Sequence, residues 1–406
     1  MATNVNNRNR QPKGTSKGGQ FAPETHTAAP NDLDVNSNEA EATIVEHYPN
    51  GNPKREEWHD KNGDLHRTDG PALIEYAPDG TISNEQWWKN GELDRADGPA
   101  RITHFEDGTT GEEWFQQGQL HRTDGPATIG YYEDGSPLFE GYWQKGKRHR
   151  TDGPARSTYN PNGGPRLEEW YKDGELDRTD GPARTDYYKN GNIYHEEYRK
   201  DGKLHRTDGP ATVDYSKDGS IETEAWYENG KIRRIDGPAT VDYYKNGSIK
   251  TETWYENGKI RRTDAPARIY YYPGGKIMAE EWWQDGDLHR LDRPARTIYG
   301  KNGSIEFEEW YKDGKRHRDN GPAKILYYKD GKPRRKEWEQ LGQHHRADGP
   351  AITEYREDGS VERETWYKND QCHRLDGPAI TEYNPNGSIK REEYWKNGEF
   401  YIPPAH

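Results

Sequence analysis

The sequence predicts an all-β protein: an elongated, single-sheet array of about thirteen β-hairpins built on a 28-residue repeat. Three observations predict it. The phrase His-Arg-Thr-Asp-Gly-Pro-Ala stands at 66–72, 121–127, 149–155 and 205–211, with near copies between and beyond. Its arginine recurs at Arg67, Arg95, Arg122, Arg150, Arg178, Arg206, Arg234, Arg262, Arg290, Arg318, Arg346 and Arg374, every interval being 28 residues except one of 27. Most intervals also carry two Asn-Gly or Asp-Gly steps, such as Asn246-Gly247 and Asn229-Gly230, and these are the strongest short-range hairpin signals. A fixed period of this size marks a repeat array, not a string of separate domains.

Residues 1–41 come first and lack strand alternation; they are rich in Asn, Pro, Ala, Gly and Thr and read as a disordered tail. The array runs over 42–398, beginning with a partial unit. In each unit a period-2 segment such as Ala211-Thr212-Val213-Asp214-Tyr215 puts Ala, Val and Tyr on one face. A turn follows, then a return segment such as Ile221 to Tyr227, then the second turn. Both turns are expected to be two-residue turns with positive φ. One ring column holds Tyr76, Tyr131, Tyr187, Tyr243 and their equivalents; a second holds Trp58, Trp87, Trp114, Trp170, Trp226 and theirs. The rings are expected to form the core by stacking on the neighbouring unit, with a carbohydrate- or base-stacking platform as the other reading. A propeller blade of roughly 40–50 residues would not fit the period. At about 4.8 Å per strand, thirteen units would span roughly 125 Å, long, thin and twisted. Residues 399–406, "EFYIPPAH", are expected to cap the array, because Pro403 and Pro404 cannot donate to a further strand.

Composition supports a thin core. Hydrophobic residues are 29% and charged residues 32%, while 14 Trp, 28 Tyr and 6 Phe supply the apolar surface. The net charge of −13 argues against direct nucleic-acid binding. No apolar run is long enough for a membrane helix or a signal peptide. The single cysteine, Cys372, suggests a reducing compartment, so a cytoplasmic location is expected.

The repeated phrase is the candidate site. Arg and Asp two apart point to the same side of an extended segment, so the fork of one can meet the carboxylate of the other. Asn320 alone replaces the aspartate. The glycine is replaced by Ala265 and Arg293, so it is expected to provide room or ease of turning, not a left-handed conformation. A ligand ladder could use His66-Arg67, His121-Arg122, His149-Arg150, His205-Arg206, His289-Arg290, His317-Arg318, His345-Arg346 and His373-Arg374. Asp94, Asp177, Arg233 and Arg261 take the histidine position in other units, a mixture unsuited to a general base. The phrase therefore reads as a structural junction first and a ladder second. No catalytic residue, metal ligand or cofactor is expected.

The stretch "EEWYKDGELDRTDGPARTDYYKNG" (168–191) resembles the MORN repeat, and more closely its bacterial variant in YwqK-like proteins. Trp170-Tyr171, Gly174 and Tyr187-Tyr188-x-Asn190-Gly191 carry the likeness, which covers about 42–398; the inserted Arg-x-Asp-Gly-Pro-Ala link departs from it. The resemblance implies stacked hairpins used as a scaffold or interaction module, and YwqK-like members are often labelled antitoxins. The segment 8–24, "RNRQPKGTSKGGQFAPE", resembles N-terminal tags on proteins of actinobacteria and their phages. The expected function is a non-enzymatic scaffold binding a protein partner, antitoxin-like or phage-encoded. Two alternatives remain: a sponge for small anionic nucleotides using the His-Arg pairs, and an acidic DNA mimic using Glu168-Glu169 and Glu308-Glu309.

Overall fold

The computed structural model describes residues 42–403; the tail and its tag lie outside them. Two units are formed. One comprises the described residues up to 203 with 217–219, the other 204–216 with the described residues from 220. Six hairpins belong to the first and seven to the second, thirteen in all, and there is no helix among the described residues. The chain is an all-β repeat of antiparallel hairpins.

One repeat of the second unit shows how the sequence builds it. Thr240–Tyr243 pairs with Ile249–Thr253, and Ile249–Thr253 pairs in turn with Arg268–Tyr271 of the next repeat. The β-branched Thr240, Val241, Ile249, Thr251 and Thr253 suit these strands. The loop between them is not the two-residue turn expected from Asn246-Gly247. Tyr244 N–H donates to Ser248 O (2.8 Å) and Gly247 N–H to Tyr244 O (2.8 Å). Gly247 alone takes positive φ (80°), the pattern of a three-residue loop closed by a glycine bulge. Asn246 Oδ1 instead accepts from the N–H of Ser248 (3.1 Å), an Asx turn.

After Trp254 the chain leaves the main ladder for a small clip, Tyr255–Glu256 against Lys259–Ile260. Its Asn257-Gly258 turn has positive φ at both residues, 52° and 77°, so the expectation holds for the second turn of this repeat, whereas at Asn62-Gly63 in the first clip only the glycine is left-handed. The left-handed residue is not always Asn or Asp: Gln117, Lys145 and Leu341 adopt it too. Glu399–Tyr401 closes a clip of the same kind on Ile389–Lys396.

The core differs from the expected one. All but one of the Trp-column residues, Trp310 being the exception, are half-buried, as is the Tyr column. The fully buried column is the alanine that ends each link, from Ala72 to Ala379, each 0% exposed. The alanine backbone joins two strands: Ala267 O accepts from Trp254 N–H (2.8 Å), and Ala267 N–H donates to Glu281 O (2.8 Å). Val213 and Val241 are buried on one face of the strands, while the other face buries carboxylates, including Glu169, Glu281 and Glu309. This thin interior is possible because the rings stack on something other than each other.

Candidate functional site

Each link is a knot around its arginine. Arg346 shows the arrangement: its Cζ lies 4.2 Å from the ring centroid of Trp338. Its Nε donates to Asp348 Oδ1 (3.0 Å) and its Nη1 to Pro350 O (3.3 Å). The same stacking joins Arg67 to Trp58, Arg122 to Trp114, Arg150 to Tyr142, Arg290 to Trp282, Arg318 to Trp310 and Arg374 to Trp366, at 3.6–4.1 Å. A guanidinium over an aromatic face is held by the ring quadrupole and needs no thick hydrocarbon core. The expected Arg-Asp pair is present, and Arg206 makes it with Asp208 at 2.8 Å. The aspartates themselves are largely exposed. The arginine hydrogen bond holds the carboxyls of Asp69 and Asp124 below the ordinary carboxylate range.

The glycine gives room, as expected. A β-carbon at Gly349 would stand 2.5 Å from Cζ of Arg346, and similar clashes recur at Gly153 and Gly209. The natural exceptions show the consequence. Beside Ala265 the Arg262–Asp264 separation opens to 3.9 Å, and beside Arg293 the Arg290–Asp292 separation is 3.2 Å.

The histidines turn to the next clip. Nδ1 of His66 accepts from Asn90 N–H, His121 from Lys145, His149 from Asp173 and His205 from Asn229. His289 accepts from Asp313 N–H, His317 from Leu341 and His373 from Asn397, while Nδ1 of His345 meets Asn369 Oδ1. Asp94 and Asp177 accept from the equivalent N–H groups of Gln117 and Asp201. Histidine and aspartate in this column thus supply an acceptor for the N–H of a left-handed turn residue, whereas Arg261 reaches Asp285 Oδ1 (3.0 Å) and Arg233 reaches Glu228 Oε2 (3.3 Å). The link residues of the expected ladder all have partners within the chain.

A second network lies on the opposite strand face, and sequence reasoning missed it. Glu169 meets Arg156 (3.0 Å) and Arg184 (3.8 Å); Arg296 meets Glu281 (3.3 Å) and Glu309 (3.6 Å). On the other face of the strands, Glu168 and Glu308 accept from Tyr187 and Tyr327 hydroxyls (2.8 and 2.5 Å), and burial raises the pKa of both phenols. The pairs read as phosphate mimics therefore spend their carboxylates internally, which removes that basis for DNA mimicry. Glu337, Glu339 and His344 also come together, and could hold a metal. The available signal was Glu339, which stands where other clips carry Trp88, Tyr171, Arg199 or Tyr367.

Comparison with known proteins agrees on the repeat. The MORN repeat variant family matches residues 380–397, spanning the strand Ile380–Tyr383 and the whole of its partner Ile389–Lys396. The chain carries a MORN-like repeat. No curated protein sequence matches it. Among solved structures, a TcdB2–TccC3 complex is 13% identical over 88% of this chain, with a TM-score of 0.12. A Photorhabdus luminescens Tc holotoxin pore is 12% identical over 86%, with a TM-score of 0.11. This chain spans 18% of the length of each of these. Choline binding protein F from Streptococcus pneumoniae is 14% identical, covering 86% of this chain and 98% of that one, with a TM-score of 0.15. TM-scores this low do not establish a shared overall fold. No helix of the described residues is long and apolar enough to cross a membrane.

Proposed function

We propose that the chain is a non-enzymatic repeat scaffold that binds a protein partner through its link loops. The observation that carries this is the direction of a variable link residue. Arginine, glycine and alanine turn inward, whereas the residue between Arg and Asp faces solvent: Ile235 is 85%, Leu291 61% and Leu375 70% exposed. Large aliphatic side chains repeated on the outside of a polar array are suited to contact with another protein. An antitoxin-like or phage-encoded role in a bacterial cytoplasm is the finer form of this proposal and rests on sequence resemblance. The test compares the full chain with an Ile235→Ser, Leu291→Ser, Leu375→Ser variant in affinity purification from the encoding organism. A stoichiometric protein retained by the wild type and lost by the folded variant supports the reading. Equal recovery by both sinks it.

One observation favours the anion-binding alternative, at a single place. A cleft of about 510 Å³ is lined by Arg261, Arg262, Trp282, His289, Arg290 and Asp292, among others. Arg262 there lies 3.9 Å from Asp264, the longest separation of the Arg-Asp pairs in the described links. Calorimetric titration with ATP would then show one site, abolished by Arg262→Gln, in place of the many sites of a sponge.

A further inference from the structure

We propose that Glu337, Glu339 and His344 form a site for one divalent transition-metal ion of the zinc class. Glu337 ends the strand Pro333–Glu337, and Glu339 opens the following clip. His344 is the direct cross-strand partner of Glu339 in that clip. One ligand atom from each of the three lies within 4.8 Å of the others.

The geometry suits tetrahedral coordination. Nε2 of His344 is 3.4 Å from Glu337 Oε2 and 3.8 Å from Glu339 Oε1. With metal–ligand bonds of about 2.0–2.1 Å, the edge of a tetrahedron is roughly 3.3–3.4 Å. Modest closure on an ion would bring all three donors into the first shell, leaving a fourth position for water. The neighbouring cations pair most closely with the other oxygens, Arg335 Nε with Glu337 Oε1 (2.8 Å) and Arg316 Nε with Glu339 Oε2 (3.3 Å), while Arg316 Nη1 stands 3.9 Å from Glu337 Oε2. The inward oxygens thus face the imidazole.

Burial supplies the independent observation. Glu339 is 1% exposed, and neither of its carboxylate oxygens accepts a hydrogen bond. An aromatic residue at this position, as in most of the other clips, would avoid desolvating a carboxylate. Asp370 Oδ1 lies 3.1 Å from Nδ1 of His344, the carboxylate–histidine arrangement that directs Nε2 towards a metal. Asp370 is itself a departure from the repeat: it stands at φ 60° where the neighbouring clips have Gly342 and Gly398. Two exceptions to the repeat, Glu339 and Asp370, therefore meet at one imidazole. A mixed imidazole–carboxylate donor set of three favours zinc-class ions over calcium or magnesium, which take more oxygens.

This proposal is independent of partner binding. The test titrates the metal-free full chain with zinc chloride by calorimetry, and with cobalt(II) by visible absorption. One site per chain with a tetrahedral cobalt spectrum is expected. Asp370→Asn should weaken it about 10–100-fold, and Glu339→Gln should abolish it. Glu339→Tyr, which restores the residue type of neighbouring clips, should fold at least as well as the wild type and bind no metal. Absence of a saturable site in the wild type, or unchanged affinity in Glu339→Tyr, would overturn the proposal.

Discussion

Arg346 and Trp338 stack with 4.2 Å between guanidinium carbon and ring centroid, although eight residues and a complete clip separate them. The ring lies at the entrance to the clip and the arginine at its exit, so the contact closes the clip as a unit. Gly349 lies against the guanidinium and completes the stack. The repeated phrase is thus a clasp, and the small alanine after it is the buried point at which one hairpin joins the next.

The first prediction concerns the room beside the guanidinium. Gly349→Ala places a β-carbon 2.5 Å from Cζ of Arg346, so either the ring stack or the Asp348 pair must yield. Overpacking of this kind costs about 1–3 kcal/mol, read as a lowered urea midpoint. Ala265→Gly is the converse and should let Arg262 close on Asp264. If Gly349→Ala is neutral, the glycine is dispensable and the clasp is looser than its geometry.

The second prediction isolates the stack. In a double-mutant cycle of Trp226→Leu and Arg234→Gln, whose groups lie 4.2 Å apart, a coupling of about 0.5–2 kcal/mol is expected. Additive losses would show that ring and guanidinium contribute separately. Asp208→Ala, by contrast, should have little effect, because its side chain is 80% exposed.

The third prediction explains a mixed column. His205 Nδ1 accepts from Asn229 N–H at 3.2 Å, and Asp94 does the equivalent for Gln117. His205→Asp should therefore be tolerated. His205→Leu leaves the turn donor without its acceptor and should cost about 1 kcal/mol. Amide exchange at Asn229 is the local readout, and equal exchange in both variants would refute the cap.

The period, the strands and the second turn were legible because they depend on local chemistry: alternation, and Asn-Gly where both residues need positive φ. The Arg346–Asp348 pair was legible for the same reason, being two residues long. The Trp338–Arg346 stack was not, since it requires knowing that the intervening clip folds back. The first turn misled because Asn246-Gly247 serves two turn types, and only the backbone distinguishes Asn246 as a side-chain cap. The ring columns suggested a core because they hold the largest apolar groups. A ring that stacks on a guanidinium keeps one edge in water, and burial passes to Ala267.

The fourth prediction is a stabilising one. Leu341 adopts φ 51° in its clip and is 55% exposed, so it gains little from packing while bearing the left-handed penalty. Leu341→Asn should raise stability by about 1 kcal/mol while keeping the N–H that donates to His317. A lower melting temperature would mean that Leu341 packs in a way its exposure does not reveal.

The last prediction concerns acid. Glu197 receives His195 Nε2 at 3.2 Å and Arg199 Nε at 2.6 Å, and these lower its pKa from 4.5 to about 2, the histidine hydrogen bond being the larger cause. A depressed folded value means that the stabilisation is complete above pH 4.5, the unfolded value, and is lost as pH falls through about 2. The side chain is only 16% exposed, so solvent screens the pair weakly, and the loss should be on the order of 2 kcal/mol. Glu197→Gln cannot carry this charge, so its stability should fall less steeply than the wild type between pH 5 and pH 2. Urea denaturation of both chains across that range gives the difference directly. Parallel curves would show that Glu197 is no better paired in the folded chain than in the unfolded one.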